Sequence, residues 1–176
     1  MTRRSPSLIA ACVALALCAG SGLAQEKRKP STPEQRRKAV ETATLLENDP
    51  FNKDAKRLRE ELLKFLIEAP DVHVVLCTDV LGELSKIKGE YAPIITAQLT
   101  FSTAKFVIEH PEQAGDHDAA FLAGVEGVLR AYRNIKKAKP KVKIEQLDDL
   151  LGKQEAGDLA FFVKTAAETA GCKSKD

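Results

Sequence analysis

Between Asp118 and Lys139 the chain reads DAAFLAGVEGVLRAYRNIKKAK, and no other stretch constrains the fold as much. Phe121, Val125, Val128, Tyr132 and Ile135 recur at the helical period, Leu122 and Leu129 widen that face, and Ala123, Gly127 and Ala131 add a small-residue stripe. Only Glu126, Arg130 and Arg133 mark a polar edge. A helix apolar around so much of its circumference has to be surrounded by other helices. Glycine inside a helix costs about 1 kcal/mol relative to alanine. Gly124 and Gly127 therefore make sense where a neighbouring backbone comes close. The stretch is read as the core helix of the fold; the competing reading is a ligand groove along the small-residue stripe.

The N-terminus carries a different signal. Arg3 and Arg4 precede an apolar run from Leu8 to Ala19, and Gly22-Leu23-Ala24 offers small residues where a signal peptidase needs them. Residues 1–24 are read as a secretory signal peptide, with the mature protein starting at Gln25. The run is too short to span about 30 Å of hydrocarbon, and no later segment approaches a membrane span. A lipoprotein-like string ends at Cys12, but cleavage there would leave almost no apolar region in the leader. The expected location is periplasmic or secreted.

Loss of the leader removes two arginines and no acid, so 27 basic and 25 acidic residues become 25 and 25. A balanced charge gives no pull toward nucleic acid or anionic lipid, and neither is expected as a partner. The remaining residues fit one domain with a sizeable core. The same cut leaves two of the four cysteines, Cys77 and Cys172. In an oxidising compartment these are expected to form one disulfide. The alternative is a reactive thiol, because His73 stands four residues before Cys77 and a helix would put both on one face.

In chain order, residues 25–32 form a charged, proline-containing lead-in, read as flexible, and residues 33–172 form a single helical domain, followed by a short tail at 173–176. Thr32-Pro33-Glu34-Gln35 combines a capping threonine, proline at the first helical position and glutamine three residues after the cap. The helix it starts runs to Asn48, and the next begins near Asn52 with Ala55, Leu58, Leu62, Phe65 and Ala69 on its buried face. Between them, Leu45-Leu46-Glu47-Asn48-Asp49-Pro50-Phe51-Asn52-Lys53-Asp54-Ala55 resembles the junction between tetratricopeptide repeats. That resemblance implies stacked antiparallel helix pairs and a concave surface, near the first two helices, that binds a peptide or partner protein. It covers residues 39–69, and no 34-residue period continues it.

Asp71 is placed to cap a third helix, with Cys77, Val80, Leu84 and Ile87 on one stripe and Gly89 at its end; a short strand over Val72 to Leu76 is the alternative. Tyr91 to His110 reads as a mostly apolar helix partnering the one after Asp118 at the centre of the core. Past Pro140, Ile144, Leu147, Leu150 and Leu151 make a helix ending near Gly152, and Asp158 opens a last one that Gly171 closes. The fold class is all-α: an irregular antiparallel helical bundle, or a tetratricopeptide-like array, of six to seven helices.

Two clusters bear on chemistry. His110, Asp116 and His117 lie in a polar loop between the central helices and are the candidates for a divalent metal, against a reading as helix caps and solvated loop. Lys136, Lys137, Lys139, Lys141 and Lys143 form a basic run that reads as a solvated helix end or as an attraction for acidic partners. There is no nucleophile elbow, paired-histidine zinc motif or phosphate loop, and no cofactor is indicated. The expectation is a non-enzymatic protein- or peptide-interaction module; the alternatives are a small-molecule or metal-binding carrier and, behind it, an enzyme.

Overall fold

The computed structural model describes residues 28–82 and 90–172, which form six α-helices and no strand. They are α1 Pro33–Asn48, α2 Ala55–Glu68, α3 Tyr91–Glu109, α4 His117–Ala138, α5 Glu145–Ala156 and α6 Leu159–Thr169. The expected signal peptide, the first residues of the lead-in, positions 83–89 and the tail at 173–176 lie outside the described residues. The architecture is the expected all-α one, an antiparallel bundle in which α3 and α4 form the central pair. No helix among the described residues is long and apolar enough to cross a membrane.

α1 begins where its capping sequence dictates. Thr32 Oγ1 accepts from the Gln35 amide at 3.2 Å, and Gln35 Oε1 accepts from the Thr32 amide at 2.8 Å. α2 folds back antiparallel to α1, and the open end of this hairpin is tied shut. Asp71, just past α2, accepts from the Ser31 amide at 2.7 Å and the Ser31 hydroxyl at 2.8 Å, and pairs with Arg36 at 3.0 Å. Ser31, at the end of the lead-in, is consequently buried.

α3 and α4 cross at the two glycines. A Cβ added at Gly127 would lie 1.9 Å from Ser102 Oγ and 2.3 Å from Ser102 Cβ; at Gly124 it would lie 2.3 Å from Thr103 Oγ1. The small-residue stripe of α4 thus faces a helix and not a ligand groove. Phe121, Val125, Val128 and Leu129 are all buried around this crossing. The space left open at Gly127 also admits a charge. Glu47, at the end of α1 with 2% of its side chain exposed, accepts from Ser102 Oγ at 2.8 Å and from Arg130 Nε at 2.8 Å, with Lys105 Nζ at 3.7 Å. Gln98 Nε2 donates to Ser102 Oγ at 3.0 Å, so every member of the buried chain has a partner.

Two apolar clusters meet at α3. The smaller holds Ala39, Ala43 and Leu46 of α1, Ala55 and Leu62 of α2, and Phe101. The larger runs from Ile95 and Leu99 through α4 to Leu147, Leu150 and Val163. The turn from α4 to α5 is fixed by Tyr132, whose buried hydroxyl accepts from the Ile144 amide at 2.9 Å and donates to Asp148 at 3.1 Å.

The expected third helix does not form across Asp71 to Cys77. The backbone there is irregular and forms no strand, so that alternative fails as well, and among the described residues a 3-10 turn at Thr78–Leu81 follows, closed by Gly82 at φ 73°. The physical reason is twofold. Val72, Val74 and Val75 lose rotamer freedom in a helix, and the Asp71 carboxylate that would have capped it is taken by Ser31 and Arg36. Leu84, Ile87 and Gly89 of that expected helix lie outside the described residues. α5 also differs: it continues through Gly152 to Ala156 and ends at Gly157, which takes the left-handed conformation at φ 83°.

Two consequences can be measured. Helix propensity favours alanine or leucine over glycine at position 127 by up to about 1 kcal/mol, whereas overpacking a tight crossing costs about 1 to 3 kcal/mol. Ser102 is short and already hydrogen-bonded to Glu47, so it has nowhere to turn, and Gly127→Ala should already lower the melting temperature, with Gly127→Leu worse. A melt at or above the parent's would show that the crossing relaxes. The second concerns Asp71, whose carboxyl is held below the ordinary range first by the Ser31 amide and then by its hydroxyl and Arg36. A group depressed on folding contributes stability above its unfolded pKa and loses it as pH falls through the folded value. Asp71→Asn should therefore cost about 1 to 2 kcal/mol near neutral pH, and its deficit in urea denaturation should shrink below about pH 4.

Candidate functional site

The cysteines come together as expected. Cys77 and Cys172 form a disulfide with Sγ atoms 2.07 Å and Cα atoms 5.6 Å apart, joining the irregular segment after α2 to the end of α6. Gly171, at φ 67°, turns the chain so that Cys172 reaches back, and its amide donates to Ala167 O at 3.0 Å. His73 lies on a segment that is not helical, so the shared helical face that would have made Cys77 a reactive thiol does not exist. Both sulfurs are consumed in the bond.

The metal candidates do not converge. Asp116 Oδ1 accepts from the Ala119 amide at 3.0 Å and caps α4. The His110 ring packs 4.8 Å from that of Phe106, with Nδ1 3.7 Å from Glu112, and the His117 ring lies 6.1 Å from that of Phe121. Among the described residues, the trio of His, Cys, Asp or Glu ligand atoms within 4.8 Å of one another is Cys77, Asp79 and Cys172. Two of its members are the disulfide sulfurs, which offer no thiolate to an ion.

The hairpin presents recognition surface instead. An open groove of about 240 Å³ lies between α1 and α2, with Ala39, Leu62 and Phe65 at its floor and Lys38, Glu61 and Lys64 at its rims. Lys38 and Glu61 pair across it at 3.5 Å. Both helices contribute because the Ser31–Asp71–Arg36 tie keeps them antiparallel to their ends. On another side of α2, Leu63 and Ile67 stand four residues apart, and Ile67 is 61% exposed.

At the end of the molecule where α3 starts and α4 stops there is a second concavity. This depression of about 590 Å³ is lined by Tyr91, Lys139, Lys141, Val142, Lys143 and Ile144. Phe51, from the α1–α2 turn, meets the Tyr91 ring edge-on at 6.4 Å, and Lys139 Nζ sits 5.2 Å above the Phe51 ring and 3.8 Å from Glu90. No periodicity in the sequence announces this grouping, because its members come from three separate stretches. The lysine run was the one legible part.

Comparison with family models, with curated proteins and with solved structures finds no match. The reading of the site therefore rests on its own residues.

The disulfide closes a span of 95 residues. Cross-links over loops of this order stabilise by about 2 to 5 kcal/mol, a large fraction of the roughly 5 to 15 kcal/mol that holds a domain together. Cys77→Ser should lose that amount in denaturant titration, and the parent under reductant should fall to the same midpoint. Equal midpoints for parent and variant without reductant would mean that the bond contributes nothing.

Proposed function

We propose that this chain is an exported, non-enzymatic interaction module that holds a peptide or a segment of a partner protein against its α1–α2 hairpin. The observation that carries the reading is the groove between these helices. An apolar floor supplies the burial that drives association, and rims bearing both signs of charge supply orientation. The Leu45 to Ala55 resemblance to a tetratricopeptide junction points the same way, since such hairpins recognise peptides. Export is supported by the tripartite leader and is compatible with a disulfide that persists where thiols are oxidised. The groove alone is small, so binding through it is expected to be reversible and of modest affinity.

The reading is tested by placing a photoreactive residue at Gln35 or Lys64 in the full chain, expressed with its leader, and irradiating intact cells. A discrete adduct is expected from both positions. It should be missing with the label at Glu155 on α5, and missing, with the label at Gln35, when Lys38 and Lys64 are both changed to glutamate. Adducts that form equally from α5, or that survive the rim reversal, would overturn the assignment of the hairpin as the binding surface.

A further inference from the structure

We propose that the cationic depression at the α4–α5 turn docks an acidic, partly apolar peptide segment of a partner protein. The inference rests on the reading of this chain as an interaction module and adds a second surface to it, with its own partner chemistry. Five of the eight residues from Lys136 to Lys143 are lysine and none is acidic, in a chain whose overall charge is close to balanced. Two of the five are neutralised within the molecule: Lys136 by Asp148 at 2.7 Å, and Lys139 by Glu90 at 3.8 Å. Lys137, Lys141 and Lys143 have no carboxylate at ion-pair distance among the described residues, and all three are exposed. Lys141 and Lys143 line the depression, so its unpaired positive charge is concentrated at a concave place and not spread along a helix face.

The backbone that carries these cations is pinned. The Ile144 amide donates to the buried Tyr132 hydroxyl at 2.9 Å, and the Val142 amide donates to Lys139 O at 3.0 Å. An anion meeting this turn finds the two ammonium groups on a fixed base, which lowers the ordering cost of binding. Tyr91, Val142 and Ile144 add apolar wall beside them. Carboxylates set around an aliphatic or aromatic side chain match that lining.

Nucleic acid fits less well. Its single-stranded forms are held by open aromatic faces, but here the Phe51 and Tyr91 rings pack edge to face at 6.4 Å and the Lys139 ammonium caps Phe51 at 5.2 Å. Lysine, unlike arginine, also lacks the planar fork suited to bidentate phosphate recognition.

The test uses the full mature chain and a fluorescein-labelled octapeptide of alternating glutamate and isoleucine, read by anisotropy. Binding at low salt is expected to weaken by about tenfold or more in Lys141→Glu/Lys143→Glu, and to fall steeply as salt rises from about 50 to about 500 mM. Lys141→Gln/Lys143→Gln should give an intermediate loss, and circular dichroism should show both doubles to be folded, since neither side chain is buried. The groove variant Lys38→Glu/Lys64→Glu should bind the octapeptide like the parent. No binding by the parent, unchanged binding by the Lys141/Lys143 doubles, or tighter binding of inorganic polyphosphate or a single-stranded oligonucleotide would overturn the acidic-peptide assignment. Loss of this binding with groove adducts intact would overturn the depression alone, whereas loss of the adducts with octapeptide binding intact would overturn the hairpin reading alone.

Discussion

The arrangement of the bundle depends on one buried carboxylate. Glu47 stands one residue before the end of α1, buried where α1 meets α3 and α4. Taking an unpartnered carboxylate out of water costs several kcal/mol, and deleting one member of a buried pair typically costs about 3 to 5 kcal/mol. The fold meets this with Ser102 from α3, Arg130 from α4 and Lys105 at greater distance. A Cβ at position 127 would lie 1.9 Å from Ser102 Oγ and 2.9 Å from Glu47 Oε1, so a side chain there would disturb the bond between those two groups. Glycine there serves the electrostatics of the core as much as its packing. A network of this kind adds little net stability beside an apolar replacement, but it joins three helices at one point: Glu47 of α1, Gln98, Ser102 and Lys105 of α3, and Arg130 of α4.

The periphery is held by ties of another sort. The segment from Asp71 to Cys77 is irregular and leads into the 3-10 turn at Thr78–Leu81, yet Val72, Cys77, Val80 and Leu81 are buried. It is fixed at one end by Asp71 on Ser31 and Arg36, and near the other by the disulfide to the end of α6. A stretch with poor helix propensity can stay ordered when both ends are anchored, since anchoring removes most of the conformational freedom it would otherwise keep. The same anchoring leaves α2 with two dissimilar surfaces, one shared with α1 in the groove and one carrying exposed Leu63 and Ile67.

Local pattern was enough for the α1 cap and for the apolar stripes of α3 and α4, because each of these is settled by neighbours within a turn or two of helix, and the glycines on the apolar α4 marked where another helix could come close, though not which residues of it would. The pairing of Cys77 with Cys172 was legible for a different reason: with residues 1–24 read as a leader, two cysteines remain and a single pairing is possible. What the sequence left undecided was every choice between distant partners. Asp71 has the chemistry of a helix cap and could have begun a helix, but it is bound instead by a serine and an arginine from the start of α1. His110, Asp116 and His117 have the chemistry of metal ligands, yet α3 and the α4 cap hold them apart. Glu47 looks like a solvated helix end in its own stretch, and Phe51, Tyr91 and Lys139 look unrelated. Packing brought Glu47 under the α3–α4 crossing and gathered the other three at one end of the bundle, because contacts between residues forty or more positions apart are fixed by how helices cross and not by anything a neighbouring residue can encode.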